Sequence, residues 1–108
     1  MYELPLIFIS QPMSWKTREH IAEERRDLVA KVEKEYWARV INKNLQNIPA
    51  YFDKMPYNTT SILMLWESIK MIAWADYAYF AKWWEEARWC RIEHEVAKSY
   101  GVKILYEE

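Results

Sequence analysis

The chain has 108 residues, 52% of them hydrophobic, which suits one small domain with a packed core and is too short for two. Its 15 basic and 16 acidic residues leave a net charge of −1. That balance offers no basic excess for phosphate-backbone contacts, so a nucleic-acid partner is not expected. A single cysteine, Cys90, argues against a disulfide framework or a multi-cysteine metal site. With no long uncharged apolar run and no leader pattern, the expected setting is cytoplasmic, with no membrane partner.

Leu4–Ser10, LPLIFIS, is a nearly continuous apolar run and reads as a strand buried on both faces, as in the centre of a parallel sheet. Gln11–Lys16 is then a loop, because Pro12 blocks strand continuation and biases Gln11 to extended geometry. Thr17 is a helix N-cap with Glu19 in the first turn, and the helix runs from Arg18 to Tyr36. Ile21, Ala22, Leu28, Val29, Val32 and Tyr36 share one stripe of it, with Arg25 in the middle. Two readings of Arg25 stand: a stem that packs while its head reaches solvent, or a partner for a carboxylate or an anionic ligand.

Ala38–Ile41 is a short second strand. Asn42–Thr60, with Pro49 and Pro56 and no clean period, reads as a long loop with one helical turn that lies over a pocket. Thr60 or Ser61 caps a second helix ending near Ala73. Its expected core face is Ile62, Leu65, Trp66, Ile69, Ile72 and Ala73. Leu63, Met64 and Met71 lie outside that face, and a helix apolar on two sides points to a homo-oligomer formed through it or to a broader core contact. Tyr77–Phe80 is a third strand, and Val102–Leu105 a fourth after the helix-ending Gly101. The order β-α-β-α-β-α-β predicts a single three-layer α/β domain of Rossmann-like or flavodoxin-like type, with a mostly parallel sheet.

Between the last two strands, a helix from about Ala87 puts Trp89, Ile92, Val96, Ala97 and Tyr100 on one arc. Glu93 falls inside that arc. A carboxylate on the apolar face of a helix needs a cleft or a partner. In open α/β sheets ligands sit at the carboxyl ends of the strands, and Gln11–Lys16 and Ala81–Arg91 both lie there. Glu93 is therefore expected to face a ligand cleft.

The segments IFISQPMSxKT, ADYAYFA and WEEARxCRIEHEVAKSYG, spread over nearly the whole chain, together resemble a phage and bacterial family of small uncharacterised domains. That family is similar to nucleoside 2-deoxyribosyltransferases and deoxynucleoside-monophosphate N-glycosidases. The resemblance implies that Glu93, in C-R-I-E-H-E-V-A, is the nucleophile that attacks the anomeric carbon of a deoxyribose. Such a carboxylate forms a glycosyl ester, which water or a second base then resolves. It also implies a nucleoside or nucleotide ligand bound by Ser10, Gln11, Met13, Ser14 and Lys16 of the first βα loop; independently of the resemblance, Arg88 or Arg91 in the charge run near the helix start is a candidate to reach a ligand phosphate. The relatives carry an aspartate where this chain has Ser68. Serine cannot serve as the general acid for base departure, so Glu67, the next residue, is the expected substitute.

Tryptophan and glycine counts are inverted, with 7 Trp and 1 Gly, whereas average glycine usage of about 7% would give roughly seven. The family pattern implied by the resemblance has glycine at the positions of Trp15, Trp66, Trp74, Trp83 and Trp89. Trp37 follows a long helix, where a cap glycine is expected. Trp84 alone reads as a true tryptophan. UGA codons that mean glycine in the source and tryptophan in this chain would produce that pattern; an aromatic binding surface is the other reading. Strain of about 1–3 kcal/mol is expected at each turn that requires positive φ, with Trp15 and Trp89 projecting into the pocket.

His20, His94 and Cys90 do not share a ligand spacing, so neither a metal nor another cofactor is expected. Cys90 reads as buried and inert, or as a thiolate near a helix N-terminus. Glu85 and Glu86 with Arg88 and Arg91 read as a solvated helix start. Asp76, entering a strand, reads as structural. Two function classes remain: an N-glycosidase or deoxyribosyltransferase using Glu93, or a nucleotide-binding or sequestering module without chemistry.

Overall fold

The computed structural model describes residues 3–45 and 57–108. Its elements are β1 (Leu6–Ser10), α1 (Arg18–Tyr36), β2 (Arg39–Val40), α2 (Tyr57–Trp74), β3 (Tyr77–Phe80), a 3-10 turn (Trp84–Glu86), α3 (Arg88–Ser99) and β4 (Lys103–Tyr106). All four strands pair in parallel, in the order β2-β1-β3-β4. The expected α/β domain with a parallel sheet is what the chain forms. Most of the long loop expected after Asn42 lies outside the described residues. No described helix is long and apolar enough to cross a membrane.

The alternation of side chains along each strand sorts the core into two layers. Ile7, Ile9 and Tyr79 point to one face and meet Leu28 and Val32 of α1. Ala78 and Phe80 point to the other and meet Ala97 of α3. α2 packs beside α3 and against β1. β1 and β3 are therefore covered on both faces, which is why they read as continuous apolar runs.

Local chemistry sets the boundaries. Thr17 caps α1 by accepting from the backbone N–H of His20 at 3.1 Å. Two helices end in the same geometry: Ala38 N–H donates to Glu33 O at 3.3 Å and Val102 N–H to Ala97 O at 2.9 Å. Each closes over a left-handed residue, Trp37 in one case and Gly101 in the other, and glycine is the usual occupant. Asp76 Oδ2 accepts from Leu6 N–H at 2.8 Å, so its role is structural, fastening the start of β3 to β1.

α2 departs most from expectation. It starts three residues before Thr60, and its rotation differs. Ser68 and Ile72 are buried, while Ile62 and Trp66 are 64% and 55% exposed and Ala73 is also exposed. Met64 and Met71, expected to face either a subunit partner or a broader core contact, line the cavity between the helices and the sheet. A helix apolar all round carries little directional signal, and the expected face is only partly the buried one: Ile72 is buried and Leu65 and Ile69 are half-buried. α3 is rotated by less: its buried stripe is Cys90, Glu93 and Ala97, whereas Ile92 and Tyr100 of the expected arc are exposed.

β2 is only two residues long, and Asn42 continues its ladder with a side chain. Asn42 Oδ1 accepts from Ile9 N–H at 2.9 Å and Asn42 Nδ2 donates to Ile9 O at 2.8 Å. The amide stands in for a third strand residue beside β1. Replacing Asn42 with alanine leaves both buried backbone groups of Ile9 unpaired, and a loss of roughly 2–4 kcal/mol is expected. Asn42→Asp should be no milder, because a carboxylate cannot donate to Ile9 O. Urea midpoints of the two variants check this; a midpoint shift near zero for either would contradict it.

Candidate functional site

The chain leaves β1 toward β2 on one side and leaves β3 toward β4 on the other. The connections at the carboxyl ends of these two central strands diverge, and a cleft opens between them. A cavity of about 480 Å³ occupies that place, within the range of small-molecule sites. Ile21, Met64 and Met71 supply apolar wall, and Gln11, Arg25, Ser68 and Glu93 supply the inner polar groups.

Glu93 is 5% exposed. Ser10, the last residue of β1, donates its hydroxyl to Glu93 Oε1 at 2.7 Å. Burial pushes the Glu93 carboxyl up to about 7 from its usual 4.5, while hydrogen bonds from Ser10 and Ser68 and the charge of Arg25 pull it back. The group is thus poised near half-ionised at neutral pH, a condition that burial produces and that functional carboxylates use. Cys90, one turn before it, is also buried, and burial raises its thiol to about 12. That makes it an inert wall residue and removes the thiolate reading.

Arg25 is 4% exposed. Its Nε donates to Gln11 Oε1 at 2.8 Å and its Nη1 to Asn42 O at 2.7 Å. Gln11 Nε2 in turn donates to Ile21 O at 3.1 Å. The head of Arg25 therefore does not reach bulk solvent; it is the buried cation facing Glu93 across the cavity. Burial lowers its pKa and the Glu93 charge raises it again. The network also joins three separate elements, α1, the β1–α1 loop and the end of β2, at the cavity floor.

The expected site residues divide cleanly. Gln11, Met13, Ser14, Lys16, Arg88 and Glu93 line the cavity, and Ser10 stands directly behind Glu93. Ser68 also lines it and hydrogen-bonds Glu93. Glu67 points away: its carboxylate pairs with Lys70 at 3.1 Å on the exposed side of α2, so it cannot stand in for the missing acid. Arg91 is not on the cavity wall; its guanidinium donates to Glu85 O at 2.8 Å. Trp89 lines the cavity as expected, but Trp15 projects wholly into solvent.

Sequence reading did not place Asn42 or Met64 in the site, and for Arg25 it left two readings open, a solvent-reaching head or a partner for a carboxylate or anionic ligand; its burial opposite Glu93 fits the second. For Arg25 the signal was present, a cation in an apolar stripe. For Asn42 and Met64 the role depends on tertiary partners. Among the described residues no group of three His, Cys, Asp or Glu side chains could hold a metal ion. His94 instead sits in an aromatic cluster, stacked on Trp84 at 4.1 Å with its Nε2 2.7 Å from Tyr106 Oη.

Nothing among protein-family models, curated proteins or solved structures matches this chain. Its own residues therefore carry the functional reading.

The raised carboxyl makes stability depend on pH. The folded chain holds the Glu93 proton more tightly than the unfolded chain does. The stabilisation from that proton is fully present below about pH 4.5 and is lost as pH rises through about 7. The loss amounts to roughly 3 kcal/mol. Glu93→Gln has no such proton to lose. Its stability relative to the parent should increase by about that amount from pH 4.5 to pH 8, measured by urea unfolding at each pH. A difference independent of pH would show that Glu93 is ionised normally.

Proposed function

We propose that the cavity binds a deoxynucleoside monophosphate and that Glu93 cleaves its N-glycosidic bond. This is the chemistry of the nucleoside 2-deoxyribosyltransferases and deoxynucleoside-monophosphate N-glycosidases that the motifs resemble. The observation that carries the reading is a buried carboxylate, held by Ser10, on the wall of a ligand-sized cavity at the carboxyl ends of a parallel sheet. The cavity lining includes the guanidinium groups of Arg25 and Arg88 and the ammonium of Lys16, the last paired with Glu24 at 2.8 Å, against the single lining carboxylate of Glu93. That excess favours an anionic ligand, and hence a nucleotide over an uncharged nucleoside.

In this reading an ionised Glu93 oxygen attacks C1′ and the C1′–N bond breaks. The base leaves with the electron pair and takes up a proton from water. Water then cleaves the glycosyl ester and regenerates the carboxylate, giving a hydrolase; a second base accepting the sugar would give a transferase. Ser10 orients the attacking carboxylate, and the apolar wall of Met64 and Met71 keeps the reacting centre dry.

A second reading is a nucleotide-binding module without chemistry. Ser68 favours it, because it places a hydroxyl on Glu93 where a second titratable acid would assist base departure.

The test is chromatographic detection of free base released from each of the common deoxynucleoside monophosphates. The hydrolase reading expects release by the parent chain and a fall of about 10³-fold or more in Glu93→Ala. The nucleophile must be ionised, so kcat/KM should rise with pH and level off above about 7. Calorimetric binding with no release, unaffected by Glu93→Ala, would establish the binding module instead. Neither binding nor release would remove both.

A further inference from the structure

Four described residues have a positive φ: Gly101 at 75°, Trp15 at 68°, Trp37 at 51° and Trp83 at 72°. Glycine enters this region without steric cost, and asparagine and aspartate are its usual substitutes. Tryptophan is not among them. The chain has 7 tryptophans in 108 residues, yet every non-glycine position found there is one.

Nothing compensates at these sites. Trp15, Trp37 and Trp83 are 103%, 81% and 69% exposed, so their indoles bury too little to offset a strained backbone. Trp37 also occupies the same place as Gly101: each is the left-handed residue under a hydrogen bond from the following N–H to the carbonyl five residues earlier. One helix ends on glycine in this geometry and the other on tryptophan.

A shared binding surface does not account for the three. Trp15 and Trp83 follow β1 and β3, at the carboxyl ends of the strands. Trp37 precedes β2, at the opposite end of the sheet. Trp84 behaves differently, packing at ring-centroid distances of 4.1 Å from His94 and 5.4 Å from Phe80, and its φ is not positive.

We infer that positions 15, 37 and 83 are glycine positions, and that the source of this chain reads as glycine a codon, UGA, that appears here as tryptophan. Trp84 does not belong to this set. The inference rests on backbone geometry and is independent of what the cavity binds.

Two measurements decide it. In the gene, TGA is expected at positions 15, 37 and 83, with TGG at 84. TGG at 15, 37 and 83, or TGA at 84, would overturn the inference. In the protein, W15G, W37G and W83G should each raise the thermal midpoint by about 4–8 °C, the shift expected when a strain of about 1 kcal/mol is relieved in a domain of this size. W15A, W37A and W83A keep a Cβ in the left-handed region and should recover less than half of that. W84G should lower the midpoint. Alanine variants as stable as the glycine variants would show that the backbone makes no demand for glycine and would overturn the assignment.

Discussion

The hydrogen bond from Ser10 to Glu93 ties the end of the central strand to the helix that closes the sheet. Its geometry depends on everything around it. Ser10 is fixed because β1 is paired on both sides, by β2 and by β3. Glu93 is fixed because Ala97, one turn on, packs against Ala78 and Phe80. The carboxylate is 5% exposed and lies on the cavity wall. Its burial costs free energy in the charged form, and the hydroxyls of Ser10 and Ser68 and the charge of Arg25 offset only part of that. The residual penalty is what keeps the group near half-ionised.

Arg25 and Glu93 are the two buried charges that face the cavity, and their surroundings differ. Arg25 is held by a side-chain oxygen and a backbone oxygen, from Gln11 and Asn42. Glu93 accepts the Ser10 hydroxyl at 2.7 Å, with the Ser68 hydroxyl as a second influence that favours its charged form. Arg25 therefore stays a fixed cation, while Glu93 is the group whose state can change. An anion bound against Arg25 would offset the one charge that lowers the Glu93 carboxyl, and so raise it further. Any ligand that uses Glu93 as a nucleophile must hold its own negative charge away from that carboxylate.

Sequence reading succeeded where local rules act alone. The bounds of α1 follow from Thr17 as cap and a clean apolar stripe, and Tyr77–Phe80 stands out as a short aromatic run. Glu93 was visible because a carboxylate interrupts an apolar arc. Rotation of α2 was not legible: Ile62, Leu63, Met64, Leu65 and Trp66 are consecutive apolar residues, and no period distinguishes the side that faces the cavity. Glu67 looked competent as an acid because it adjoins Ser68, but neighbouring residues on a helix point about 100° apart, enough to move Glu67 from the cavity wall to solvent. The role of Asn42 depends on where β2 ends relative to Ile9, a tertiary register that no local pattern encodes.

The left-handed tryptophans explain why the fold is legible at all in a chain with one glycine. Each sits in a connection: Trp15 between β1 and α1, Trp37 between α1 and β2, Trp83 between β3 and α3. None belongs to the buried core, which is built from Ile7, Phe8, Ile9, Val32, Tyr79 and Phe80. Core and punctuation are separate demands on a sequence: the first needs apolar volume at the right period, the second needs backbone freedom at a few points. Here the first demand is met and the second is violated at three turns, with the indoles directed to solvent where they displace nothing. The cost therefore falls on the connections, one of which, the loop around Trp15, lines the cavity through Met13, Ser14 and Lys16. Strain at these three turns acts on the connections, while Ser10, Arg25 and Glu93 stay anchored to strands and helices that do not share it.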